Sequence, residues 1–189
     1  MLETEMKLLL SKAEYDYLYS AFESDSETIL QTNYYYDTNN FDMDKKGTTC
    51  RVRKIGNYYC ATMKDHKDMS HGLSEEMSTL VYCVANVMDF FGFHLRQQGC
   101  LETARTNLKF DCDVLVTIDK NSYLGIEDYE LEIEYDEDKY FLASAILKRL
   151  SEMLYFDGIV SSTEEFVSRV GKGKSKSSRF FDRKRERKL

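Results

Sequence analysis

Proline is missing from all 189 residues. That absence by itself excludes no activity. Long apolar runs are missing too: none approaches the roughly 20 residues that a membrane helix needs. Met1 leads directly into charged residues, so neither a membrane span nor a secretory leader is expected. There is no Cys-x-x-Cys pair. The five cysteines (Cys50, Cys60, Cys83, Cys100 and Cys112) form an odd set, expected to be reduced and mostly buried thiols in a cytoplasm. A disulfide framework or zinc site is disfavoured on the same ground. His66 and His71 lie five apart in the polar run 65–72, but no neighbouring pattern supports metal ligation, so they read as loop residues.

What is present fits a soluble α+β protein of one domain, residues 1–189, able to bury a substantial core: 42% of residues are hydrophobic and 31% charged. The net charge of −7 is unevenly spread. Residues 172–189 hold nine basic and two acidic side chains, leaving 17 basic and 31 acidic ones before them. Such a tail could meet an anionic partner, remain a solvated helix end, or lend cations to an anion site elsewhere in the fold.

The first strand sets the pattern. Glu3, Glu5 and Lys7 are spaced by two and share one face, with Leu2, Met6 and Leu8 on the other. Ser11 and Glu14 form a capping-box pattern for a helix over about 11–23. Residues 31–38 read as a strand. Arg51 and Arg53 share a face on a hairpin turning near Gly56, and Cys60, Thr62 and Lys64 share one on its return arm. Leu73–Met77 reads as a strand, and Ser78 is expected to open a helix ending at Gly92. Arg105 lies in a strand over 101–109, and Asp119 in one over 114–120. Glu130, Glu132 and Glu134 alternate with Tyr129, Leu131, Ile133 and Tyr135. Helices are expected over about 138–155 and from Ser162 to about Val170, with a last one near the C-terminus.

Ionic residues confined to one face of seven or eight strands suggest an antiparallel eight-stranded barrel with a charged interior and helices outside. So many buried charges need partners. A polyanion bridged by a divalent metal would supply them, and hard carboxylate ligands favour Mg²⁺ or Mn²⁺.

The ordered motifs carry a resemblance. Glu3-Thr4-Glu5-Met6-Lys7 resembles the ExExK signature of the CYTH superfamily, the triphosphate tunnel metalloenzymes. Residues 34–38, Arg51-Val52-Arg53, Thr62-Met63-Lys64, Arg105, Asp119, Glu130 to Glu134, and Ser175-Lys176 with Arg179-Phe180 resemble its later elements. The set is similar to CYTH-domain proteins of Gram-positive bacteria. The resemblance implies a single tunnel domain with a basic segment at 172–189, hydrolysing inorganic, nucleoside or thiamine triphosphate by metal-assisted water. It implies a catalytic set of Glu3, Glu5 and Lys7. Metal ligands would come from Glu3, Glu5, Glu130, Glu132 and Glu134, and phosphate contacts from Lys7, Arg51, Arg53, Lys64, Arg105, Lys176 and Arg179. Some family members carry an arginine before a glutamate where Ser74 precedes Glu75 here, so that basic contact is missing from the pattern and the choice between Glu75 and Glu76 as the tunnel-facing residue stays open. Adenylate cyclase activity of the same fold and non-catalytic binding of polyphosphate or nucleotide are the alternatives. The expected partner is a small triphosphate or polyphosphate rather than a membrane or nucleic acid, with a homodimer left open.

Overall fold

Ser11 opens the first helix as its sequence predicts. It accepts a hydrogen bond from the Glu14 N–H at 3.3 Å, while the Glu14 carboxylate accepts from the Ser11 N–H at 2.6 Å. The structure, a computed structural model, describes residues 4–68, 73–110 and 112–187. Among the described residues there are nine strands: β1 (Thr4–Leu10), β2 (Glu27–Asp37), β3 (Thr48–Ile55), β4 (Tyr58–Asp68), β5 (Leu73–Val81), β6 (Val87–Phe90), β7 (Phe93–Leu108), β8 (Leu115–Tyr123) and β9 (Ile126–Tyr135). The helices are α1 (Lys12–Phe22), α2 (Asp42–Lys45), α3 (Tyr140–Phe156), α4 (Thr163–Ser168) and α5 (Lys176–Glu186). The expected antiparallel sheet runs in the order β1-β9-β8-β7-β2-β3-β4-β5, and β6 adds a ninth strand on β7.

The chain forms two compact units. The first comprises Met1–Ile29, Ala104–Asn121 and Glu127–Gly173. Alternation in β1, β8 and β9 sends Met6, Leu8, Val116, Ile118, Leu131 and Ile133 to one face. There they pack on Leu18 of α1, Ile146, Leu150 and Leu154 of α3, and Phe166 of α4. Each such side chain contributes on the order of 1.5–3 kcal/mol when fully buried. After α4 the chain lies along β1: the Gly171 N–H donates to the Lys7 carbonyl at 2.8 Å, and Arg169 binds Glu14 at 2.6 Å. β1 is thereby held on its far side as well as by β9.

The second unit comprises Leu30–Thr103, Ser122–Ile126 and Lys174–Leu189. Register in β2, β3, β4 and β5 builds a four-strand grid. Tyr35 stands opposite Arg51, Arg51 opposite Thr62, and Thr62 opposite Ser78. Towards the β3–β4 turn the next rows on that face hold Asn33, Arg53, Cys60 and Leu80, then Gln31, Ile55 and Tyr58. The other face is apolar, with Tyr36, Cys50, Val52 and Ala61 packed on Met43, Phe90 and Leu95. α5 takes the polar face. Phe180 and Phe181 bury against Tyr35, Phe41, Leu101 and Tyr123, so the basic tail is anchored by its aromatic pair.

Three expectations are corrected. The helix expected over 78–92 is absent, replaced by the end of β5, a stretch of irregular chain and β6. Leu80, Val84, Val87 and Phe91 match a helical period, but β5 continues the β4 ladder through Val81. Gly92 ends no helix. With Phe91 it forms the two-residue turn between β6 and β7, both residues having positive φ (94° and 47°), as a type I′ hairpin requires. The cysteines are free as expected but not mostly buried: Cys50 is buried, Cys60 and Cys112 are half-buried, and Cys83 and Cys100 are exposed. The run 65–72, expected as a loop, is strand β4 as far as Asp68; the side chain of His66, and His71 altogether, lie outside what the structure describes.

Candidate functional site

In the first unit, the antiparallel register of β1 with β9 places Glu5 opposite Glu134 and Lys7 opposite Glu132. Lys7 Nζ lies 2.8 Å from Glu5, 3.3 Å from Glu132 and 3.7 Å from Glu130. Arg105 on β7 makes a two-pronged contact with Asp119 on β8, Nε at 2.9 Å and Nη2 at 2.7 Å. Its Nη2 also donates to Glu132, and Nη1 lies 3.7 Å from Glu134. Burial opposes the Arg105 cation. The hydrogen bonds and charge of Asp119, with the charges of Glu132 and Glu134, outweigh that burial and push its pKa up.

Glu5, Glu130, Glu132, Glu134 and Asp119 thus gather around Lys7 and Arg105. Glu130 and Asp119 are fully buried, and Glu132 nearly so. Oxygen atoms of Glu5, Glu132 and Glu134 all lie within 4.8 Å of one another. Convergent carboxylates repel one another, and a hard divalent ion relieves that repulsion through oxygen ligands. The donor set therefore fits Mg²⁺ or Mn²⁺ chemistry. Glu3 lies outside the described residues.

In the second unit the cations gather around Tyr35. Its phenol is buried, which pushes its pKa up, while Arg51, Lys176, Arg53 and Arg179 pull it down by their charge. All four cations singled out in this unit apart from Lys64 therefore act on one buried side chain. Arg53 Nε donates to Asn33 Oδ1 at 3.0 Å. Arg51 Nε is buried without a hydrogen-bond partner among the described residues, a donor that an anion would satisfy. Lys64 is half-buried on the same face, opposite Thr49 of β3 and Glu76 of β5. The register thus sets Glu76 on the cation-bearing face.

α5 reaches this face through Ser177, whose Oγ lies 2.8 Å from Thr49 Oγ1. Ser175 caps the helix, accepting from the Ser178 N–H at 3.2 Å. Asn33, Tyr35, Thr49 and Ser177 were not singled out from sequence as site residues. The period-two polar series Gln31, Asn33, Tyr35, Asp37 was the available signal, masked by the three consecutive tyrosines. Asp119 was visible only as a family match, because a lone aspartate in an apolar strand carries no periodicity.

The CYTH domain family model matches residues 1–158. The chain belongs to the CYTH family. Lys176 and Arg179 lie beyond the matched segment. YjbK of Bacillus subtilis (strain 168), provisionally named a triphosphatase, is 28% identical over 153 residues, which cover 70% of this chain and 77% of that protein. A Bacillus halodurans crystal structure, provisionally named an adenylate cyclase, is 25% identical with a TM-score of 0.66, covering 95% of this chain and 97% of that one. The Hippeastrum protein HpAC1, provisionally named an adenylyl cyclase and described as having a dominant triphosphatase activity, matches with a TM-score of 0.70. It covers 96% of each chain at 21% identity, a likeness of fold.

Proposed function

We propose that this CYTH protein is a metal-dependent triphosphatase acting on a small triphosphate. The observation that carries the reading is the convergence of Glu5, Glu132 and Glu134 within 4.8 Å beside Lys7 and Arg105. An anion binder with no metal gains nothing from carboxylates clustered this closely, which would repel its ligand. Glu5, Glu132 and Glu134 are the ligands, with Glu3 and Glu130 completing the candidate set. When bound, Mg²⁺ or Mn²⁺ supplies neutralisation of phosphate oxygens and a more acidic water.

The chain's own residues do the rest. Asp119 fixes the Arg105 fork so that the guanidinium enters the reaction already oriented, at little cost in reorganisation. In the first unit Lys7 and Arg105 hold phosphate oxygens and offset charge that develops on the leaving phosphate; in the second unit Arg51, Arg53, Lys64, Lys176 and Arg179 are the candidate phosphate contacts. Hydrolysis by water needs no covalent nucleophile. Burial pushes the Cys50 thiol up to about 12, so it carries no thiolate near neutral pH.

Glu5 is the best residue for a test because its side chain is 38% exposed, so its loss leaves the core untouched. Glu5→Gln is expected to lower phosphate release from triphosphate by at least a hundredfold with an unchanged melting temperature. A folded Glu5→Gln protein of near wild-type rate would refute the assignment.

A further inference from the structure

Helix α3 of the first unit turns Ala143, Ile146, Leu147, Leu150 and Leu154 into the core. Its opposite side carries a second regular series. Phe141, Ala145, Lys148, Glu152 and Tyr155 follow one another at steps of four, three, four and three, the spacing of a seam between two helices. Phe156 adjoins the last of them. Phe141 is 84% exposed and Phe156 79%, and they stand about 22 Å apart along the axis. Tyr140 lies against Phe141, and Tyr155 against Phe156, each pair edge to face. Scattered exposed rings need no explanation. Rings at both ends of one seam, with small and charged residues between them, make a contiguous surface that does.

We propose that this side of α3 is a homodimer interface, packed antiparallel on α3 of a second copy about a two-fold axis. An axis at the level of Leu150 sets Lys148 opposite the partner's Glu152 and Ala145 opposite the partner's Tyr155. Each contact then occurs twice, as a two-fold interface requires. Lys148 Nζ already lies 3.7 Å from Glu152 of its own helix, so both charges stand on the seam. Size matches as well as sign: the large Tyr155 and Phe156 rings fall over the small Ala145 and Ser144 of the partner. Parallel packing in register would instead set Lys148 against Lys148 and Glu152 against Glu152. This self-complementary order of charge commits the surface to a second copy rather than to an unrelated protein. A buried aromatic side chain removes roughly 150–250 Å² from water. The exposed parts of Tyr140, Phe141, Tyr155 and Phe156 therefore supply roughly half of the ~800 Å² per partner in a standard interface. A dimer that separates in the micromolar range fits that area. The inference is independent of the triphosphatase reading.

Sedimentation velocity of the full chain over a rising concentration series tests this. The wild type is expected to pass from monomer to dimer. The double variant Phe141→Ser, Phe156→Ser is expected to stay monomeric with an unchanged circular dichroism spectrum, since both side chains lie outside the core. Lys148→Glu alone and Glu152→Lys alone each set like charges opposite one another twice, and each is expected to weaken the dimer by at least about tenfold. An equimolar mixture of these two single variants is expected to associate again, because every facing pair then has opposite signs. A wild type that is monomeric at every concentration overturns the proposal. So does a dimer that survives in the double phenylalanine variant, which would place the interface elsewhere. A mixture that associates no better than its components overturns the antiparallel arrangement. A monomeric wild type that cosediments with phosphatidylcholine vesicles would give the surface to lipid and overturn the proposal too.

Discussion

Arg105 is the residue on which the first unit's charge balance turns. It satisfies Asp119 with two hydrogen bonds and reaches Glu132 as well, and both carboxylates are buried. Removing one partner of a buried charge cluster costs more than the cluster contributed, because the remainder is stranded. Arg105→Ala is therefore expected to destabilise the fold by about 3–5 kcal/mol, read from denaturant unfolding. Arg105→Lys keeps the charge but cannot make the fork, so it should lie between. Wild-type stability in Arg105→Ala would show that the carboxylates do not depend on this cation. Arg51, with its buried unpartnered Nε, makes a different prediction. Arg51→Ala should weaken binding more for triphosphate than for pyrophosphate, because a longer chain engages more of the cation face. An equal loss on both, measured by calorimetry, would count against that placement. Arg51 and Arg53 were legible from alternation alone, whereas the hub role of Tyr35 was not. A tyrosine among tyrosines carries no sign of which face it occupies until register is known.

At the scale of elements, α5 depends on a glycine in another strand. Gly99 in β7 has φ of +147°, and a Cβ there would stand 2.9 Å from Phe180 Cζ. Gly99→Ala must strain the backbone and push on a buried ring. A loss of about 1–3 kcal/mol is expected, seen as a lower denaturant midpoint; an unchanged midpoint would mean that Phe180 does not need that approach. Most elements were legible for local reasons. α1 has its capping box, α4 its Ser162 cap, and β9 its strict alternation. The failure at 78–92 is equally physical. A helical apolar period and a strand followed by a hairpin can share one residue pattern, and only the pairing of β5 with β4 and of β6 with β7 decides between them.

At the scale of the whole molecule, the described candidate carboxylates Glu5, Glu130, Glu132 and Glu134 lie in the first unit with Lys7 and Arg105, and the candidate cations Arg51, Arg53, Lys64, Lys176 and Arg179 lie in the second. The sequence showed both sets, and their order along the chain pointed to the CYTH family before any geometry was known. It did not show which glutamates converge, because that depends on the register of β1 with β9, nor that the basic tail is anchored through Phe180 and Phe181. No described helix is long and apolar enough to cross a membrane. The central claim is that the clustered carboxylates exist to hold a divalent ion required for triphosphate cleavage. Phosphate release from inorganic triphosphate and from ATP by chelator-stripped protein, titrated with Mg²⁺ or Mn²⁺, tests it most directly. The expected result is no release from either substrate without the ion and a saturable rise as it is added. Equal rates in the stripped and the metal-supplemented protein would contradict it.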